Sequence, residues 1–246
     1  MLVGAGLVLE YGTEQPERAR WQGPIVGDNS ARRAFRANSR ASREVAAVAS
    51  DYAWLVAQWY GQVVDVFFVS YLFDDFNFDV AWQLSMLNAE AMSLGFIFTR
   101  GSHRLVARAR PVREGCENDS GDAELCPFRG THASFPSGHT SMSFVGAGLT
   151  CAHHQYLPIY GSRIGDAAAC GANIALAGAS GALRLISDRH WLSDVLIGAV
   201  FGFAVGYGLP VLLHYGYGSS EGFGRSSAAL VSGKNAPSIL SWSGRF

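Results

Sequence analysis

His190 and Asp194 stand four residues apart at the entry to the most apolar run of this chain, six residues after Arg184. Positions i and i+4 of a helix share a face, so an imidazole and a carboxylate at this spacing come within reach of each other. A carboxylate on one ring nitrogen fixes the tautomer and leaves the other nitrogen free as a base or nucleophile. A second group, Pro136-Ser137-Gly138-His139, opens a long uncharged stretch. That order reads as a helix start, where unpaired backbone N–H groups and the positive end of the macrodipole form a ready anion site. A third group runs from His103 to Arg110-Pro111. Arg110 and Arg184 can present planar forks to phosphate oxygens. Two histidines, fixed cations and a helix N-terminus make a phosphoryl-transfer site that needs no metal.

The elements that must carry these groups are apolar blocks. The chain has 246 residues, 49% of them apolar and 16% charged, where an ordinary soluble domain carries roughly 25% charged. Such a chain is not disordered. Its net charge of -1 lacks the basic excess of a nucleic-acid binder. Residues 130–162, 167–183 and 195–220 contain no Asp, Glu, Lys or Arg. Val195 to Leu213 is nearly pure apolar sequence, and about 20 such residues cross a bilayer core as a helix. Weaker candidates are 52–73, which carries Asp65, 80–99, which carries Glu90, and the Ala/Gly/Ser-rich stretches 139–157 and 167–186. The expected architecture is an all-α membrane bundle of five spans, with a soluble bundle of buried helices as the alternative. It becomes six spans if the apolar Met1–Leu9 is the remnant of a truncated first one.

Three regions follow: 1–44, a remnant span with an Arg-rich segment lying on the membrane surface; 45–215, the helical core; and 216–246, a Gly/Ser-rich tail expected to be flexible. Gly198, Gly202 and Gly206 recur every four residues, a ridge for close packing against a neighbouring helix within the chain rather than across a dimer.

With the three groups in place, the sequence resembles the type 2 phosphatidic acid phosphatase superfamily, which includes lipid phosphate phosphatases and vanadium haloperoxidases. The matching residues are Arg110-Pro111, Pro136-Ser137-Gly138-His139, and Arg184, His190 and Asp194, in the family's order and spacing. The resemblance implies that His190 attacks phosphorus and becomes a phosphohistidine, oriented by Asp194. It implies that His139 protonates the leaving alcohol and later activates water. Arg110, Arg184, Ser137 and the Gly138 N–H would hold the equatorial oxygens. Two positions depart from the family: Leu183 stands in place of a serine, and His103 in place of a lysine. A lysine there would hold a permanent charge, whereas an ordinary histidine is mostly neutral at pH 7, so His103 is expected to contribute weakly.

The expected function is an integral membrane phosphatase acting, without cofactor, on phosphomonoester or diphosphate groups of lipid or isoprenoid carriers. A vanadate-dependent haloperoxidase or a non-catalytic lipid-binding relative are the alternatives, and a homo-oligomer stays open. The resemblance places the active site on the periplasmic face of a bacterial inner membrane. Against that, the catalytic side holds 15 of the 19 Lys and Arg residues, which the positive-inside rule would put in the cytoplasm. Cys116 and Cys126 could be bridged on an oxidising face, while Cys151 and Cys170 read as packing residues. Asp65 and Glu90 read as structural polar contacts, and His153-His154 as a polar span end rather than a metal site.

Overall fold

A computed structural model of the protein describes residue 16 and residues 18–73, 76–113 and 132–216. Among the described residues there are six helices: α1 (Asp28–Phe35), α2 (Arg40–Tyr60, continued in wider π-type turns over Gly61–Phe73), α3 (Phe78–Val106), α4 (Gly138–Tyr156), α5 (Arg163–Ile186), and α6 (Leu192–Phe203, continued to Tyr215 with π-type turns). Among the described residues there is no sheet; the one pairing of extended backbone joins Trp21 to Arg108. Cys116 and Cys126, the tail beyond residue 216 and the first 15 residues lie outside the described residues.

Local chemistry sets the helix starts. Ser39, Asn77, Ser137 and Ser162 each precede a helix and accept a backbone N–H three residues on, the N-cap that satisfies one of the helix's unpaired donors. Asp79 and Asp166 lie in first turns and Arg184 in a last turn, each complementing the macrodipole. Ala107, in the left-handed region at φ 46°, ends α3.

Helix α4 is the central element and packs against α2, α3, α5 and α6. It can do so because its inner positions are small: Ser141, Ala147, Gly148 and Ala152 are buried, and Gly146 touches the α2 backbone at Ala57. The ridge on α6 meets α4 from the other side. A Cβ at Gly202 would run into the Ser141 carbonyl oxygen, and one at Gly206 into that of Val145. The ridge therefore packs within the chain. Backbone cannot yield as a flexible side chain can, so Gly202→Ala should destabilise the fold by about 1–3 kcal/mol, read as a lowered thermal midpoint in detergent. A midpoint unchanged from wild type would mean that α4 and α6 do not approach this closely.

Two helices, Arg163–Ile186 and Leu192–Tyr215, each 24 residues, are long and apolar enough to cross a membrane. Only about a third of each is buried inside the bundle, and Leu196, Ile197, Val200 and Leu212 face outward. The acidic residues and histidines that the sequence placed in or at the ends of the other apolar stretches are paired. Tyr160 donates to Asp65, His154 lies between Asp65 and Asp166, His153 between Asn88 and Tyr215, and Glu90 accepts from His214. One expectation is corrected: Cys151 and Cys170 are not packing residues but form a disulfide that ties α4 to α5. Their apolar flanks concealed a pairing that only the closeness of the two helices creates.

Candidate active site

The three sequence groups converge at one end of the bundle. Arg110 follows α3, Ser137 and His139 open α4, Arg184 closes α5, and His190 lies in the turn between α5 and α6. Their charges act on one another: His190 feels Arg110, Arg184 and His103, and Arg110 in turn feels Arg184, Arg189 and Arg100.

His190 is 3% exposed, and its Nδ1 donates to the Ser134 carbonyl at 2.8 Å. Burial, then the arginines at positions 110 and 184, push the imidazole well below its ordinary value, so the ring is neutral at pH 7. A neutral ring whose proton sits on Nδ1 carries its lone pair on Nε2. Asp194 does not hold this ring directly. Its Oδ2 lies 3.8 Å from Nδ1, beyond hydrogen-bond distance, because His190 precedes α6 instead of sharing its face. The carboxylate acts through neighbours: it accepts from Ser134 Oγ at 2.6 Å and from the Trp191 N–H at 3.0 Å. Ser134 is thus held by Asp194 while holding His190.

Below Asp194 sits Arg108, fully buried. One arm donates to Asp194 and Ser193, at 2.5 and 2.7 Å, and the other to Asp28 at 2.7 Å. Its guanidinium lies 4.0 Å from the centre of the Trp21 ring. In extended chain, residues two apart point the same way unless the chain turns. Arg108 and Arg110 nevertheless reach different partners: Arg108 goes to Asp28 and Asp194, while Arg110 Nη2 donates to the Ala133 carbonyl. Burial and the neighbouring arginines bring Arg110 down to about 9, a cost consistent with a site shaped for a second negative charge.

Ser137 is fully buried and accepts from both Thr140 N and Thr140 Oγ1, which leaves its own O–H to give. Gly138 lies against Thr99 and His103. His139 packs against Trp54, ring centres 4.8 Å apart and planes tilted by 58°. Its Nε2–H donates to Asp51 Oδ1 at 2.9 Å, and Arg184 Nη2 donates to the same oxygen. One carboxylate oxygen from α2 therefore takes hydrogen bonds from the acid candidate and from a phosphate-binding candidate together.

His103, 6% exposed, lies past the 80–99 apolar stretch and donates from Nε2 to the Pro136 carbonyl at 2.8 Å. Burial foremost, with Arg110 and Arg100 adding, lowers it to about 4. It is uncharged from pH 5 upward and shapes the 136–138 turn rather than charging it. Below the unfolded value near 6.5 the unfolded chain takes a proton that the folded one refuses, so stability falls between pH 6.5 and about 4. Replacing His103 by glutamine, which can still donate to Pro136, should remove up to about 3 kcal/mol of that acid loss while leaving activity at pH 7–9 within a few-fold. An unaltered acid limb in pH-dependent unfolding would refute the burial argument.

Arg108, Ser134, Asp51 and Asp28 escaped the reading of the sequence. Arg108 had a signal, since it alternates with Arg110. A backbone carbonyl partner such as that of Ser134 has none, and Asp51 and Asp28 reach the site only through the fold.

A family model described as the PAP2 superfamily matches residues 84–217. Lipid A 1-phosphatase of Porphyromonas gingivalis is 42% identical over 73 residues, which are 30% of this chain and 15% of that protein. No solved structure matches the chain.

Proposed function

Since the chain belongs to the PAP2 superfamily, we propose that it is an integral membrane phosphatase that hydrolyses phosphomonoester or diphosphate lipids through a phosphohistidine on His190. The observation that carries this reading is the state of His190: neutral, buried, its Nδ1–H spent on Ser134, and Nε2 left as the nucleophile beside Arg110 and Arg184. Nε2 attacks phosphorus, the bond from phosphorus to the lipid oxygen breaks, and His139 gives that oxygen its proton. Water then attacks phosphorus, His139 takes the water's proton, the P–N bond breaks, and phosphate leaves with His190 restored. Arg110, Arg184, the Ser137 hydroxyl and the Gly138 N–H supply donors for the oxygens as charge builds on them. Asp194 positions the nucleophile by way of Ser134.

The partial likeness to a lipid A 1-phosphatase supports a phosphorylated lipid as substrate. The outward apolar faces of α5 and α6, and of Val48, Tyr52, Leu55 and Trp59 on α2, support five spans with the site at headgroup depth. A substrate panel of lipid A 1-phosphate, phosphatidic acid and isoprenyl diphosphate tests the reading on purified protein without added metal. Phosphate release is expected from at least one. Bromination that requires vanadate and peroxide, without phosphate release, would replace it by the haloperoxidase alternative.

We place the catalytic end on the periplasmic side. Arg110 and Arg184 are required by the proposed chemistry on whichever face the site lies, so their share of the Lys/Arg count does not report orientation. Labelling of Ser120→Cys but not of Ser220→Cys by an impermeant reagent in intact cells is the expected result.

Asp51 occupies hydrogen bonds that a substrate oxygen needs, so an anion must displace it. Asp51→Ala should tighten competitive inhibition by inorganic phosphate by roughly 10-fold, the scale of one charge-assisted hydrogen bond. Weaker inhibition in the variant would show that Asp51 supports the anion site instead of competing for it.

A further inference from the structure

Helix α1 and the segment before it lie outside the family-matched region, yet they touch the nucleophile's turn on both sides. Before His190, Asp188 is buried and takes a left-handed conformation, φ 57°, that reverses the chain between α5 and α6. Arg32 grips its carboxylate with two bonds, Nε at 2.7 Å and Nη2 at 2.8 Å, and Arg36 Nε adds a third at 2.8 Å. After His190, Asp28 accepts from the Ser193 N–H and the Ser193 hydroxyl, both at 2.9 Å, and so caps α6 from a distant part of the chain. Just before the first anchor, at the end of α5, the Ala37 N–H donates to the Ile186 carbonyl. The same segment also borders Arg110: Arg20 and Trp21 bond to Ala107 and Ala109 on either side of Arg108.

We propose that Asp28, Arg32 and Arg36 form a clasp that positions the catalytic turn, aiming His190 Nε2 at phosphorus. The proposal rests on the phosphatase reading above and adds to it a second requirement, outside the matched family region. The physical need is specific. Asp and Asn tolerate the left-handed region better than most residues, but the turn has no helix or sheet ladder to hold it. A buried carboxylate needs its cations, and two guanidinium planes fix it in direction as well as in charge. Three donors on Asp188 and the two from Ser193 on Asp28 therefore set both ends of a six-residue arc, Asp188 to Ser193, with His190 inside it. A shift of about 1 Å in a reacting atom can cost around 100-fold in rate.

The test is a pair of variants, Arg32→Gln with Arg36→Gln, and Asp188→Asn alone, which keeps a residue suited to the left-handed turn if the first pair fails to fold. Both are measured in detergent below their unfolding midpoints. The clasp predicts that phosphohistidine formation, followed by rapid quench with radiolabelled substrate, slows about 10- to 100-fold. KM should move less than about twofold, since Arg110 and Arg184 remain, and Arg32→Lys should recover only part of the rate. A second readout needs no turnover: the ¹⁵N resonances of His190 should change from the pure Nδ1–H tautomer in the wild type to a mixture in the variants. A lowered midpoint with unchanged rate per folded molecule and an unchanged His190 spectrum would overturn the clasp. If the wild type forms no phosphohistidine while the spectrum still depends on the clasp, the phosphatase reading fails and the clasp stands.

Discussion

Replacing His190 by alanine should abolish phosphate release, lowering kcat/KM by about 10⁴-fold or more, while the protein stays folded. Losses of this size are typical when a covalent nucleophile is removed and the surrounding donors remain. The structural cost is smaller. The Ser134 carbonyl loses one donor in a buried place, which costs about 1–3 kcal/mol and leaves the bundle's helices in place. Separation of the two effects is what makes the experiment informative. Phosphate release with the best lipid of the panel is compared at matched folded fraction, and acid-labile phosphate on the protein is trapped in parallel. The wild type should carry the label and the variant should not. Release that survives at more than about one part in a hundred would remove His190 as nucleophile, because binding and the arginine cradle cannot by themselves supply that much of the rate.

Arg108→Met should be the most damaging substitution for stability outside the core helices, at about 3–5 kcal/mol. The arginine's side chain is fully buried, and so, nearly, are the two carboxylates it joins, Asp28 and Asp194. Methionine fills similar volume but leaves both carboxylates without their shared cation, and an unpaired buried charge is far costlier than a missing pair. Lysine should recover only part of the loss, because a single ammonium cannot reach acceptors on Asp28, Asp194 and Ser193 as the fork does. In a double-mutant cycle, adding Asp28→Asn to Arg108→Met should cost less than the sum of the two changes, because the second removes a charge that the first had stranded. Thermal or denaturant unfolding in detergent reads the effect. A loss below about 1 kcal/mol would mean that water reaches this ion pair.

Particular residues show how far the sequence could be read. The spacing of His190, Arg184, His139 and Arg110 was enough to name the family, because donor forks and imidazoles are recognisable by type wherever they lie. The Gly198–Gly202–Gly206 ridge was readable because a period of four maps onto one helix face. The helix caps at Ser39, Ser137 and Ser162 follow local rules that act within three residues. The partner of His190 Nδ1 was misread. A four-residue spacing implies contact only if both residues are helical, and α6 begins after His190. The disulfide of Cys151 with Cys170 was misread for a related reason, since their apolar surroundings describe packing equally well.

The sequence by itself determined the family's motif residues and which stretches are helical, since side-chain type and short-range periodicity are properties of the chain alone. Only the tertiary structure decided how those groups are held. It brought Ser134 to His190, Asp51 between His139 and Arg184, Arg108 between Asp28 and Asp194, and α1 across the catalytic turn. Those partners lie between 56 and 165 residues apart along the chain. At such separations no local rule constrains them, and the packing of helices around α4 does.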